Sequence, residues 1–213
     1  MLAVLASDLQ KEEIAHSAFF RKHEVLFSEN ISLWSNHVAD AFIDLRFELS
    51  QDRIDKLAKL LPKPVLVHSV TDTLPMIHPE FIRINGWPGF LRGNYLEAAA
   101  EEKVQQKAKT LFGEQIIFVK DEPGFISARI VSMVINEAYF TLEAGTSTKE
   151  EIDIAMKLGT GYPYGPFEWG EMIGLENIAA LLSRLSNDNG LYELSKTLNR
   201  SRNNAGSSVN RQP

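Results

Sequence analysis

The feature that most constrains this chain is an alternation between short apolar runs and amphipathic stretches through its first 120 residues. LAVLA is followed by LQKEEIAHSAFFRK and then by EVLFS. Runs this short, separated by stretches of helical period, are what a βαβ unit requires. The pattern continues: AFIDLRF reads as a strand and SQDRIDKLAKLL as a helix, with Ser50 as its N-cap and Pro62 beyond its end. PVLVHSV and FIRI read as further strands. The loop Asn85-Gly86-Trp87-Pro88-Gly89 and NYLEAA come next, then the helix AEEKVQQKAKTLFG and the strand-like QIIFVK. Strands separated by helices in this order predict an α/β sheet.

At Asp121-Glu122-Pro123-Gly124 the pattern changes, and everything beyond reads as helix, which makes this the predicted domain boundary. FISARIVSMVINEAYFTLEAG is apolar on more than one face, so it is expected to be covered either by helices of its own chain or by a second subunit. Ser147-Thr148-Lys149-Glu150 reads as a capping box, with a helix starting there and stopping at Gly159. FEWGEMIG, LENIAALLSRLS and the short LYELSKTLNR follow the turn-rich TGYPYGP. The polar end SRNNAGSSVNRQP lacks periodicity and is expected to be disordered. The organisation is therefore an α/β domain over 1–120, an all-α domain over 121–200 and a tail over 201–213.

Composition narrows the function. At 213 residues and 44% hydrophobic, the chain can fill a core. A formal charge of -6 with interspersed signs offers no basic surface for nucleic acid. The absence of cysteine excludes disulfides, thiolate metal sites and a thiol nucleophile, and fits the cytoplasm. The apolar run at the N-terminus is too short for a signal sequence or a membrane span, so no membrane role is expected. His16, His23, His37 and His68 show no metal-binding spacing.

VKDEPGFISARIVSMVINEAYFTLEAG and STKEEIDIAMKLGTGYPYGPFEWGEMIGLENI resemble the C-terminal domain of the 3-hydroxyacyl-CoA dehydrogenases over about seventy residues. The front half is similar to that family's NAD-binding half through HEVLFSE, ADAFIDLRFE, PVLVHSVTDTL and FIRINGWPGFLRGNYLEAA. The resemblance implies a shortened Rossmann-like domain followed by the all-α domain. It also implies an oxidoreductase lineage in fatty-acid metabolism, and a homodimer through the helical domain. Phe125, Ile130, Val134, Tyr139, Phe140, Trp169, Met172 and Leu181 are the residues expected to build that shared surface.

The chemistry that the resemblance implies can be followed position by position. A dinucleotide turn needs glycines where this chain has Ala6, Asp8 and Lys11, and Asp8 adds a negative charge facing a pyrophosphate. Glu29 stands where an acid would bind a ribose hydroxyl, although a solvated strand-end acid reads the same way. About ten residues separate Glu29 from Ala39 where the family has a long helix and often a strand, and roughly eight residues are missing between Asp72 and Asn85. The family's general-base histidine falls on Asn85 and its orienting glutamate on Glu97, while Asp72 takes the place of a hydroxyl-bearing substrate contact and Ala128 that of an asparagine. An amide has no usable acid or base near neutral pH. His78 could have moved into the role or could be an ordinary loop histidine. Three readings follow: a pseudoenzyme or scaffold without NAD, an active NAD-dependent dehydrogenase with an altered site, and a module binding an acyl-CoA or related small acid.

Overall fold

The computed structural model describes residues 1–36, 38–189 and 192–201. Contacts divide the chain into two compact units, one over Met1–Phe125 and a second beginning at Ile126. Residues 121–125 pack with the sheet that precedes them, because Asp121 pairs with Arg83 and the Phe125 ring lies under its guanidinium. From residue 202 on, the predicted tail lies outside the described residues.

In the first unit, β1 (Leu2–Leu5), β2 (Val25–Phe27), β3 (Ala41–Asp44), β4 (Val65–His68), β5 (Ile82–Ile84), β6 (Leu96–Ala99) and β7 (Ile116–Phe118) form one sheet among the described residues. Their order is β2-β1-β3-β4-β5-β6-β7. Every pairing is parallel except β5 with β6. That exception follows from the connection. The chain between β5 and β6 holds no helix and so can return alongside, whereas α1 (Asp8–His16), α2 (Gln51–Ala58) and α3 (Glu102–Phe112) make the parallel crossovers after β1, β3 and β6.

Strand alternation assigns the core. Leu2 and Val4 face one side with Ile43, Leu66 and Ile84, against Ile14 of α1, Phe19 and Phe20, and Phe112 of α3. Ala3 and Leu5 face the other side with Phe42, Val65 and Val67, against Trp34 and against Ile54 and Leu57 of α2. Ser50 caps α2 as the sequence predicts, its hydroxyl accepting from Arg53 N at 3.3 Å. Because the chain steps from β1 outward to β2 and then back across to β3, the switch point lies between β1 and β3, at whose carboxyl ends a crevice forms.

The second unit contains α4 (Ser127–Glu143), α5 (Lys149–Thr160), α6 (Pro166–Ile173) and α7 (Leu175–Asn189), with 196–201 also helical. α4 packs on α6 and α7 through Val131, Ile135, Ala138 and Tyr139. The capping box of α5 is one residue later than the sequence predicts: Thr148 is the N-cap, its hydroxyl accepting from Glu151 N, while the Glu151 carboxylate accepts from both Ser147 and Thr148. The helix runs past Gly159 and ends at Gly161, which takes the left-handed conformation at φ 70°. Four of the residues expected on a shared surface are core instead: Phe125, Tyr139, Trp169 and Leu181 are each under 8% exposed. The apolar residues that α4 leaves outside are Ile126, Ile130 and Met133, and α5 adds Ile154 and Leu158. Among the described residues no helix is long and apolar enough to cross a membrane.

The join between α5 and α6 is built from side-chain acceptors. Pro166 has no N–H to satisfy, and the buried Asp153 carboxylate accepts from Phe167 N at 2.8 Å and Glu168 N at 3.1 Å. Glu168 returns to Gly165 N at 2.9 Å and pairs with Lys157 at 2.5 Å. A Cβ on Gly165 would lie 2.3 Å from the Asp153 carboxylate. Gly165→Ala is therefore expected to displace Asp153 and lower stability by about 2–3 kcal/mol, read as a lower urea midpoint with an unchanged slope.

Candidate active site

A dinucleotide pyrophosphate needs bare backbone N–H groups at the helix that follows β1. Here two of those groups are already used. Ser7 caps α1: its N–H donates to Gln10 Oε1 at 2.9 Å, and its hydroxyl accepts from Gln10 N at 3.3 Å. Asp8 projects into solvent and pairs with Lys11 at 2.9 Å, and the Lys11 ammonium holds its carboxyl below the usual range. The buried Gln10 amide donates to Leu45 O at 3.3 Å and Gly86 O at 2.9 Å, tying α1 to the chain after β3 and β5. With Ala6, Asp8 and Lys11 in place of glycines, side chains stand along a turn that a pyrophosphate would approach through bare backbone.

Beside it lies an open polar crevice of about 370 Å3, bordered by Leu5, Glu29, Asn30, Arg46, Glu48 and Arg53. Glu29 thus lines the crevice at the end of β2, as a ribose-binding acid would. Arg53 is committed to Asp44, with two bonds at 2.8 and 2.9 Å. Asp44 is fully buried, and burial raises its pKa against the pull of Arg53. Glu29 and Glu48 then face Arg46 as the remaining crevice cation, a balance that does not favour a doubly charged anion.

On the other flank the structure brings together two of the sequence-predicted site positions. Asn85 follows β5 and Glu97 lies in the neighbouring antiparallel β6, and Asn85 N donates to Glu97 O at 3.2 Å. The Asn85 side-chain carbonyl accepts from Trp87 N at 3.2 Å, so the amide shapes its own loop. Asp72 lies in the loop after β4, its carbonyl accepting from the Ser69 hydroxyl at 3.1 Å. β1, β3 and β4 separate this group from the strand that carries Glu29. Ala128 is buried in α4 of the second unit. His78 stacks on Phe81 and accepts from Glu80 N at 3.2 Å, which gives it a place in loop structure. Among the described residues no three His, Asp or Glu side chains are placed to hold a metal.

Sequence reasoning passed over the residues that hold this region in shape. Arg83 of β5 is fully buried, donating to the Ser69 and Val70 carbonyls and to Asp121. The one charge inside the run FIRI was the available signal. Glu13 of α1 is also buried and accepts from Gly89 N at 2.7 Å and Leu91 N at 3.3 Å, which pins the 86–91 loop. Burial raises its pKa, opposed by those two donors. His68, at the end of β4, accepts from Gly86 N at 3.0 Å, and burial pushes its pKa down to about 4. A Cβ on Gly86 would meet Leu45 at 2.8 Å and His68 at 3.2 Å, so the chain beside Asn85 must be glycine to pass.

With the geometry in place, comparison with known proteins bears on the lineage. Residues 124–206 match the family model described as 3-hydroxyacyl-CoA dehydrogenase, C-terminal domain. This match and the relatives' names support the 3-hydroxyacyl-CoA dehydrogenase family as the lineage of the chain. It is 40% identical over 87 residues to 3-hydroxyadipyl-CoA dehydrogenase of Escherichia coli, covering 41% of this chain and 17% of that protein. It is 29% identical over 182 residues to 3-hydroxybutyryl-CoA dehydrogenase of Bradyrhizobium diazoefficiens, covering 85% and 55%. The chain thus spans little more than half of these 3-hydroxyacyl-CoA dehydrogenases at most. In fold it is similar to the crystal structure of (S)-3-hydroxybutyryl-CoA dehydrogenase from Ralstonia eutropha, with a TM-score of 0.67, 18% identity and coverage of 96% and 93%.

The neutral His68 carries a pH signature. From its ordinary 6.5 down to about 4, the unfolded chain binds a proton at this position and the folded chain does not, so stability falls as pH drops through that window. The raised pKa values of Glu13 and Asp44 act with the opposite sign, so the parent must be compared with a variant. His68→Asn keeps an acceptor for Gly86 and is expected to remove up to about 3 kcal/mol of the loss between neutral pH and the lower end of the window. Urea unfolding of both proteins at the two pH values measures the difference.

Proposed function

We propose that this chain is a member of the 3-hydroxyacyl-CoA dehydrogenase family that has lost NAD binding and hydride transfer and acts as a binding or assembly scaffold. The self-capped start of α1 carries the reading: Ser7 and Gln10 occupy two of the donors a pyrophosphate would use, and side chains stand where the turn would need glycines. Asn85 at the position of the family's histidine supports it, since an amide cannot take the proton of a 3-hydroxyl. A second reading, an active dehydrogenase with an altered site, is favoured by the crevice at Glu29, which is still open.

Calorimetric titration separates the two. No saturable heat is expected with NADH up to about 1 mM, and micromolar affinity would overturn the proposal. Turnover of 3-hydroxybutyryl-CoA is expected to be undetectable by NADH absorbance, and Asn85→His alone is not expected to restore it. A rate near about 10 per second would favour the second reading.

The helical unit supports assembly. Ile126, Ile130 and Met133 stand at a helical spacing of four and three on the outside of α4, and on α5 Ile154 and Leu158 are 55% and 84% exposed. A symmetric contact would cover these residues twice. Light scattering at tens of micromolar protein is expected to give a dimer mass, reduced to a monomer mass by Ile130→Asp with the unfolding transition retained. A monomeric parent would show that these apolar residues stand alone.

A further inference from the structure

A second groove lies apart from the crevice and shares no lining residue with it. It opens beside α2 and the 3-10 turn Ile31–Asn36, on the sheet face that Phe42 occupies, with a volume of about 420 Å3. Ile31, Trp34, Phe42 and Leu60 make it apolar and aromatic. Lys56, Lys59 and Lys63 line it as well. In a chain with 28 acids against 22 Lys and Arg, this concentration of cations stands out.

The charges are not consumed locally. Lys56 pairs with Asp52 at 2.6 Å, but Lys59 and Lys63 form no ion pair with a described acid. The acid that Lys63 influences, Asp40, is held first by the Met1 ammonium. Lys63 Nζ stands 5.9 Å from the centre of the Phe42 ring, at the edge of the aromatic floor. Lys56 and Lys59 also complement the carbonyl end of α2, which accounts for cations there but not for the aromatic surface they border. Trp34 is fully buried, and its indole N–H has no acceptor among the described residues. A buried donor without an acceptor is costly, and it stands on a residue that lines this groove.

We propose that this groove binds a small amphiphilic anion, an apolar or aromatic body whose carboxylate or phosphate is held by Lys59 and Lys63. The volume falls within the range of small-molecule sites, and an apolar floor with a few convergent polar groups is their usual composition. The two lysines are exposed and can be changed without disturbing the core.

The test titrates the full chain with octanoate, octyl phosphate and octanol by calorimetry. One or both anions are expected to bind saturably with a dissociation constant at or below about 1 mM, while octanol does not. Preference for one anion identifies the head group as carboxylate or phosphate. Lys59→Ala/Lys63→Ala is expected to weaken binding about tenfold or more, whereas Lys59→Arg/Lys63→Arg stays within roughly threefold of the parent. Lys107→Ala/Lys109→Ala, which removes the same charge from α3, is expected to leave the affinity unchanged. The proposal is overturned if the anions bind no better than octanol, if the alanine pair at 59 and 63 binds like the parent, or if only phosphatidylglycerol vesicles bind.

Discussion

A guanidinium with no exposure to water governs the arrangement of the first unit. Burying the Arg83 charge is tolerable only if each of its donors finds an acceptor, because an unpaired charge at such a position costs several kcal/mol. The partners come from two separate stretches of chain. Ser69 and Val70 offer carbonyls, Asp121 a carboxylate, and Phe125 the face of its ring at 4.6 Å. Asp121 also accepts from Leu74 N at 2.9 Å, so the loop that carries Asp72 and the segment leaving the sheet are fixed by the same group. By strand alternation Asn85 lies on the same side as Arg83. The strand that leads into Asn85 and the loop that carries Asp72 are therefore held by one buried network that serves the fold.

How far the sequence could be read depended on the range of the forces involved. Alternation within LAVLA and VLVH assigns both faces of the sheet without reference to anything distant, and the caps Ser50 and Pro166 act within one turn of themselves. Ambiguity entered where two local solutions overlap. Ser147, Thr148, Glu150 and Glu151 contain two capping boxes in adjacent registers, and Glu151 can gather both hydroxyls, so the later register is the one formed. On α4 every turn carries apolar residues, and periodicity alone could not divide Tyr139, which is core, from Ile130, which is exposed. Arg83 was out of reach because its carboxylate partner lies 38 positions away. The adjacency of Asn85 and Glu97 came from the family resemblance, since nothing in residues 86–95 announces that β6 returns antiparallel.

The start of α1 shows one physical demand met in part by the chain itself. A helix leaves its first N–H groups unsatisfied, and either a ligand or the chain itself must supply acceptors. In this chain the acceptors are Ser7 and Gln10, and Gln10 has a further commitment, because its amide protons serve the Leu45 and Gly86 carbonyls in the interior. Turning Gln10 aside to admit a phosphate would leave those buried carbonyls without a donor, at about 1–3 kcal/mol each. The charge of Asp8 adds little to that cost, because its ion pair with Lys11 offsets it. The internal solution thus resists the external one through packing more than through charge.

The stretch most similar to the family, around Gly-Tyr-Pro-Tyr-Gly-Pro-Phe-Glu, answers a different demand. Each of its defining residues settles a backbone requirement at the join of α5 and α6. Asp153 accepts from the two N–H groups that follow Pro166, Gly165 leaves room for that carboxylate, Pro166 brings no donor of its own, and Glu168 returns to Gly165 while pairing with Lys157. Replacing any one of them would expose a helix terminus or force a side chain into occupied space. None of these roles involves a cofactor or a proton in transit. Similarity in this segment therefore reports that the helical unit is built as its relatives are built, and it would read the same whether the turn after β1 held glycines or, as here, Ala6, Asp8 and Lys11. The residues that report lineage and those that would carry chemistry are different residues of this chain, and the first can be read without the second.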